Sequence, residues 1–249
     1  MVGVLGPNAC NEEKFSSWFR VGKTLGLVWN LDNMTLCIPP EKLRKAQQRL
    51  RAMLTSSKTS RRRLNELLGS LRHITTCIPA AKAFFQRIAT LARLTPRFVT
   101  VAVSSDAKDD LKWFLVILNE SRLNAVPLSR FILTEEPMWH VFMDASDFGL
   151  CCLLPARKQF IQVEFSALEK SRIAQSKSEL GDEFGINLRE LMSAAFATLA
   201  WGPLWDTPSD SPPPHVRVWI DNTTAVSWNN RRGSRNSYAQ LLLRLLSLF

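Results

Sequence analysis

At Pro137 the apolar pattern of this chain changes its period, and that change limits the fold more than any other feature of the sequence. From Glu41 onward apolar residues recur every three or four positions, the spacing of one stripe along a helix. After Pro137, Trp139-His140-Val141-Phe142-Met143-Asp144 alternates, the spacing of a half-buried strand. Helices followed by strands predict an α/β chain of the α+β kind, built in parts: 1–40, 41–137 and 138–249.

The first part reads as a hairpin. Leu25-Gly26-Leu27-Val28-Trp29 and Met34-Thr35-Leu36-Cys37-Ile38 flank a turn at Asn30 to Asn33, and Pro39-Pro40 ends the second strand. A first helix then carries Leu43, Ala46, Leu50, Met53 and Leu54 on one stripe, with Lys42, Arg44, Lys45, Arg49 and Arg51 mostly on the other. The polar break Ser56 to Ser60 supplies an N-cap for a second, which buries Leu64, Leu67, Leu68, Leu71 and Ile74 and shows Arg61, Arg62, Arg63 and Arg72. Pro79 opens a third helix to about Leu94, with Phe84, Phe85, Ile88 and Leu91 inward. A fourth runs from Ser105 to about Glu120, and Asp106, Asp109 and Asp110 in its first turns suit the helix dipole.

Charge is divided as sharply as period. The net charge is +10, all of it before residue 138, and between Lys42 and Arg97 there are 14 basic residues against one acidic residue, Glu66. A field of that sign suits a polyanion, and nucleic acid is the usual one. A solvated helix face is the plain alternative; a membrane surface would need one amphipathic helix with aromatic anchors. No apolar run approaches the roughly 18 residues that span a bilayer, the first residues lack a signal-peptide pattern, and the cysteines never take a C-x-x-C spacing. The expected location is intracellular, cytoplasmic or nuclear, without disulfides.

In the second part, strands are predicted at Trp139–Asp144, Leu150–Leu154, Phe160–Phe165 and Val216–Ile220, with a helix from Ile186 to about Leu199 for which Asn187 is a possible cap. The run Pro208 to Pro214 is a surface loop, Asn222–Asn229 a short helix, and Tyr238–Phe249 a strongly apolar one. Asp144 and Asp221 end two of these strands, and Glu190 lies early in the helix between them. If those strands are neighbours, three carboxylates converge, and they cannot all ionise without a compensating cation. All-oxygen ligation favours Mg²⁺ or Mn²⁺. Each residue also has an ordinary reading: Asp221 as a turn residue or helix N-cap, Glu190 as a solvated side chain. His73, His140 and His215 read as packing or surface residues and Asp147 as a turn residue; Trp228 is the tryptophan best placed to touch a nucleic acid, beside a second basic group, Arg231, Arg232 and Arg235.

Met143-Asp144-Ala145-Ser146 with Gly149, Ile186-Asn187-Leu188-Arg189-Glu190-Leu191, and Val218-Trp219-Ile220-Asp221-Asn222 together resemble the ribonuclease H domain of retroelement polyproteins, in order, over about 138–249. Upstream, Leu25 to Trp29 and Leu67-Leu68-Gly69-Ser70-Leu71-Arg72-His73-Ile74 resemble the post-palm hairpin and the thumb-to-connection helices of reverse transcriptases, closest to the DIRS and Ngaro tyrosine-recombinase retrotransposons. The resemblance implies a palm-end hairpin at 1–40, a thumb and connection at 41–137, and a mixed-sheet nuclease domain at 138–249. It implies Mg²⁺ or Mn²⁺ on Asp144, Glu190 and Asp221, and an RNA–DNA hybrid or template-primer duplex along Lys42, Arg44, Lys45, Arg49, Arg61, Arg62, Arg63, Arg72, Arg231, Arg232 and Arg235.

Two departures temper that expectation. The Tyr-x-Asp-Asp motif of the polymerase centre has no counterpart, since the single tyrosine, Tyr238, precedes Ala239-Gln240. No acidic residue follows Asp221, so a fourth carboxylate ligand has no counterpart, and the nuclease fold is expected to stop short of its last strand and helix. Tyr238, Leu241, Leu242, Leu245, Leu246 and Phe249 would then lack a full core and leave an apolar patch. The expected function is metal-dependent hydrolysis of RNA in a hybrid; the alternative is nucleic-acid binding without catalysis.

Overall fold

The computed structural model describes residues 17–119, 124–131, 136–178, 183–205 and 214–247. The loop read at Pro208 to Pro214 falls largely outside them, as do Glu120 and Phe249.

Three short strands open the described part of the chain, β1 (Val21–Thr24), β2 (Leu27–Asn30) and β3 (Thr35–Cys37), as an antiparallel meander. The hairpin of β2 and β3 is as expected, but β1 is an addition. Leu25 and Gly26, read as the start of a strand, form its two-residue turn instead, with φ of 52° and 75°. Positive φ at both central positions matches the right-handed twist of the flanking strands.

The helices pack behind this sheet. They are α1 (Pro40–Thr55) and α2 (Arg61–Ile74), then a 3₁₀ turn (Pro79–Phe84) leading into α3 (Phe85–Leu94). Between α1 and α2 the expected polar break also forms β4 (Lys58–Ser60), which pairs with β5 (Thr100–Ala102). Ser60 caps α2, its Oγ accepting from Arg63 N–H at 3.4 Å. Helix α4 (Ser105–Asn119) closes the bundle, and β6 (Val126–Pro127) returns to pair with β3. Leu50, Leu64, Leu67, Leu71, Ile74, Phe84, Ile88, Leu111 and Phe114 are all buried, so the 3.6-residue stripes meet in one core.

The second part is a mixed sheet under helices. Strands β7 (Trp139–Ala145), β8 (Gly149–Leu154) and β9 (Gln159–Glu164) form an antiparallel meander, followed by α5 (Ala167–Ser178) and α6 (Ile186–Trp201). Strand β10 (Val216–Trp219) then lies parallel to β7, giving the order β10-β7-β8-β9. Helices α7 (Thr223–Arg231) and α8 (Ser237–Leu245) complete the described chain. Helix α6 is buried around most of its circumference, between the sheet and α7 and α8, which is why it is apolar on nearly every side.

Alternation along the strands sends Val141, Met143, Leu150, Cys152 and Leu154 to the α6 side. The opposite face is open. The register aligns Trp219, Phe142, Leu153 and Phe160 across all four strands, and each is at least 41 % exposed. His140, Phe142 and Trp219 stack there, and Trp219 Nε1 donates to His140 Nδ1 at 3.0 Å.

This relocates the apolar patch anticipated at the C-terminal helix. Ala239, Leu243 and Leu246 are buried and Leu242 and Leu245 half-buried, because α8 packs on α6 and on the 3₁₀ turn of the bundle; Tyr238 and Leu241 alone of the six stay exposed among the described residues. The seam is polar at its centre. Asp110, expected merely to face a helix dipole, is buried and meets Arg244 at 3.1 Å and Arg87 at 3.6 Å. Burial raises its carboxyl to about 6 against the lowering pull of both arginines. Gln86 closes the same seam, exchanging hydrogen bonds with the backbone N–H and carbonyl of Ser234.

Candidate metal centre and nucleic-acid surface

The parallel pairing of β10 with β7 brings two strand ends together. Trp219 lies opposite Phe142, so Asp221, just past the end of β10, comes beside Asp144, the last residue but one of β7. Helix α6 packs against β7 and β8 and presents Glu190 from beneath. One carboxylate oxygen from each of Asp144, Glu190 and Asp221 lies within 4.8 Å of the other two.

The three are not equivalent. Asp144 and Asp221 are exposed, whereas Glu190 is 2 % exposed. Ala145 N–H donates to Asp144 Oδ1 at 2.8 Å and to Glu190 Oε1 at 3.1 Å, so one backbone group braces both carboxylates. Glu190 Oε2 is buried without a hydrogen-bond partner. Burial raises the Glu190 carboxyl to about 7; the Ala145 N–H opposes this, and the charges of Asp221 and Asp144 add to it. A buried oxygen lacking a donor, within reach of two further carboxylates, fits a divalent cation, and oxygen-only ligands fit Mg²⁺ or Mn²⁺.

The ordinary reading of Asp221 as a helix cap does not describe the geometry. Asn222 caps α7, its Oδ1 accepting from Ala225 N–H at 2.9 Å. Its Nδ2 donates to Asn187 Oδ1 at 2.9 Å. Asn187, expected to cap α6, therefore ties α6 to α7, and Gly185 occupies the cap position.

Asp147, read as a turn residue, is an ion-pair partner as well. Arg189 Nη2 donates to its Oδ1 at 2.9 Å, and Lys177 holds its other oxygen. Sequence reasoning passed over Arg189; its signal was a second charge beside Glu190 in an otherwise apolar helix. Beside Asp144 a cavity of about 360 Å³ opens between Ser146, Phe148, Cys151, Gln162 and Glu164.

The basic residues divide into two kinds. Arg44, Lys45, Arg62, Arg63, Arg72, Arg231 and Arg235 are exposed and Arg61 half-buried. Arg62 pairs with Glu66, and Arg72 lies over the Phe85 ring. Three others serve the fold. Arg49 donates to Glu66 O at 2.7 Å and Ser70 Oγ at 2.5 Å, tying α1 to α2. Lys42 Nζ lies 3.0 Å from Nε2 of His73, which contacts Gly26 O. Arg232, at φ 52°, ends α7 and donates to Asn229 Oδ1 and Leu246 O. Trp228 is half-buried and packed on the core. No helix among the described residues is long and apolar enough to cross a membrane.

No protein-family model matches the chain, and no curated protein matches it. Among solved structures, it is similar to the foamy viral protease-reverse transcriptase in complex with RNA/DNA hybrid, at 13 % identity and a TM-score of 0.36, over 91 % of this chain and 28 % of that one. The same enzyme in complex with dsDNA aligns at 14 % identity and a TM-score of 0.36, over 82 % of this chain and 45 % of that one. The chain thus spans less than half of either.

Proposed function

We propose that the chain is a piece of a retroelement polyprotein, of the DIRS or Ngaro type, whose carboxylate centre hydrolyses the RNA strand of an RNA–DNA hybrid with Mg²⁺ or Mn²⁺. One observation carries this reading: Asp144, Glu190 and Asp221 converge, with the buried Glu190 Oε2 unpartnered. Divalent ions bound there would activate water and stabilise the leaving oxygen of a phosphodiester. Glu190 is held from below by Ala145 N–H, so it supplies a fixed ligand. Asp144 and Asp221 face solvent, so that a cation held by them could meet a substrate phosphate from that side. Arg44, Lys45, Arg61, Arg62, Arg63 and Arg72, with Arg231 and Arg235, supply the charge that tracks the nucleic-acid backbone, and contacts of that kind position a duplex without reading its sequence.

A second reading, nucleic-acid binding without catalysis, is favoured by the cluster's having three carboxylates among the described residues. Incubating the protein with an end-labelled RNA–DNA hybrid and Mg²⁺, beside Asp144→Asn, separates the two. Cleavage of the RNA strand by the parent and none by the variant is the expected result. Salt-sensitive binding without cleavage establishes the second reading, and no affinity at low salt overturns both.

A further inference from the structure

We propose that Arg189 is a positioning residue for the carboxylate centre: by gripping Asp147 it fixes the turn after β7 against α6 and so sets the spacing of Asp144 and Glu190. The inference rests on reading that centre as a divalent-cation site.

Arg189 adjoins Glu190 on α6, and its side chain is only 4 % exposed. A buried guanidinium is costly unless its charge is paired and its donors are used. The charge is paired and both terminal nitrogens are used, Nη1 donating to Phe184 O at 3.0 Å and Nη2 to Asp147 Oδ1 at 2.9 Å. Asp147 lies two residues beyond Ala145, the residue whose N–H braces Asp144 and Glu190. The intervening turn is stiff, since Ser146 Oγ accepts from Phe148 and Gly149 N–H and Ser146 N–H donates to Gly149 O at 2.8 Å. It therefore moves as a unit. Besides the long contact of Ser193 Oγ with Asp144 O at 3.5 Å, it is bolted to α6 at two points, Ala145 on Glu190 and Asp147 on Arg189, and those are consecutive residues of the helix. Freeing the second bolt lets the turn rock on the first, and the Asp144-to-Glu190 distance changes with it.

Arg189→Met distinguishes positioning from simple electrostatics, because the two predict opposite signs. Removing a positive charge near a cation site tightens cation binding if charge alone matters. Losing the bolt weakens it. The substitution strands no buried charge, since Asp147 is 38 % exposed and keeps Lys177.

The measurement is the Mn²⁺ dissociation constant of the full chain by titration calorimetry, with thermal unfolding of the metal-free protein alongside. Arg189→Met is expected to weaken Mn²⁺ about tenfold or more, the usual effect of losing a group that orients a ligand. Arg189→Lys, which keeps the charge but not the planar pair of donors, is expected to weaken it several-fold and serves if the methionine variant fails to fold. Unchanged or tighter Mn²⁺ binding in the folded variants overturns the proposal and leaves the metal centre standing. A parent protein that binds no Mn²⁺ overturns the reading of the centre itself.

Discussion

Arg244 on α8 places Nη2 3.1 Å from Oδ2 of Asp110 on α4, across 134 positions of the chain. Both side chains are nearly buried, at 11 % and 2 % exposure, so the pair joins the basic bundle to the carboxylate domain in a place water hardly reaches. Breaking such a pair from one side leaves a charge without compensation. Asp110→Asn is expected to destabilise the protein by about 3 kcal/mol in urea unfolding. Replacing both members by apolar residues, Asp110→Leu with Arg244→Met, is expected to recover most of that loss. A double variant no more stable than the single would show that the pair adds more than its charge balance.

Two buried carboxyls titrate upward on folding, Glu190 from 4.5 to about 7 and Asp110 from 3.8 to about 6. A raised carboxyl favours the folded state below its unfolded value and loses that contribution as pH rises through the folded value. The metal-free protein is therefore expected to lose thermal stability between about pH 4.5 and 7, with Glu190 contributing up to about 3 kcal/mol of the change. The depressed carboxyls of Glu41, Asp147, Glu164 and Glu169 act below that window, because their contribution is complete above the unfolded carboxylate range. Mn²⁺ is expected to raise the melting temperature at pH 7 and above and not at pH 5, since the cation competes with the proton for Glu190. Equal stabilisation at both values would show that Glu190 is not a ligand.

Asn222 and its neighbour Asp221 can be separated by substitution. Asn222→Ala removes the α7 cap and the tie to Asn187, and is expected to cost at least about 1 kcal/mol. Asn187→Ala removes the tie alone and should cost less. Asp221→Asn leaves the cap intact and relieves the repulsion on Glu190, so its thermal stability should match or slightly exceed the parent's while Mn²⁺ binding weakens. If Asp221→Asn instead destabilises the protein as much as Asn222→Ala does, Asp221 is a structural residue.

What could be read from the sequence follows the range of the forces involved. The stripe Leu64, Leu67, Leu68, Leu71 and Ile74 and the alternation of β7 are local patterns with strong energetic content, and both appear in the structure. A cap within Ser56 to Ser60 was legible for the same reason, and the structure puts it at Ser60. Turn geometry was less so: Leu25 carries a side chain disfavoured at positive φ, and nothing short of its pairing partners reveals β1. Among contacts over long separations, the convergence of Asp144, Glu190 and Asp221 was legible, on the condition that their strands were neighbours, and the ion pairs were not. Asp110 looks like any acidic residue in a first turn until Arg244 arrives, and Asp147 like any loop aspartate until α6 brings Arg189 beneath it. Asn187 and Asn222 are both cap formers by composition, and tertiary packing decides that only one of them caps.

The division of the arginines supplies a last test, on the proposed nucleic-acid surface. Arg49 and Arg63 have the same charge and flank the same pair of helices, yet Arg49 is engaged by Glu66 O and Ser70 Oγ while Arg63 faces solvent. Arg49→Ala should therefore cost about 1–2 kcal/mol of stability, from the loss of charge-assisted hydrogen bonds, and leave the salt dependence of hybrid binding nearly unchanged. Arg63→Ala should be neutral in stability and lower the slope of log K against log salt by about 0.9, as expected when one phosphate fewer is neutralised. Measured by fluorescence anisotropy over a salt series, the pair controls for total charge, because each variant removes one positive unit from the same bundle. A slope unchanged in Arg63→Ala would make that face of α2 a solvated one and move the nucleic-acid path elsewhere. Equal slope changes in both variants would mean that the hybrid senses the summed field of the bundle and not individual side chains.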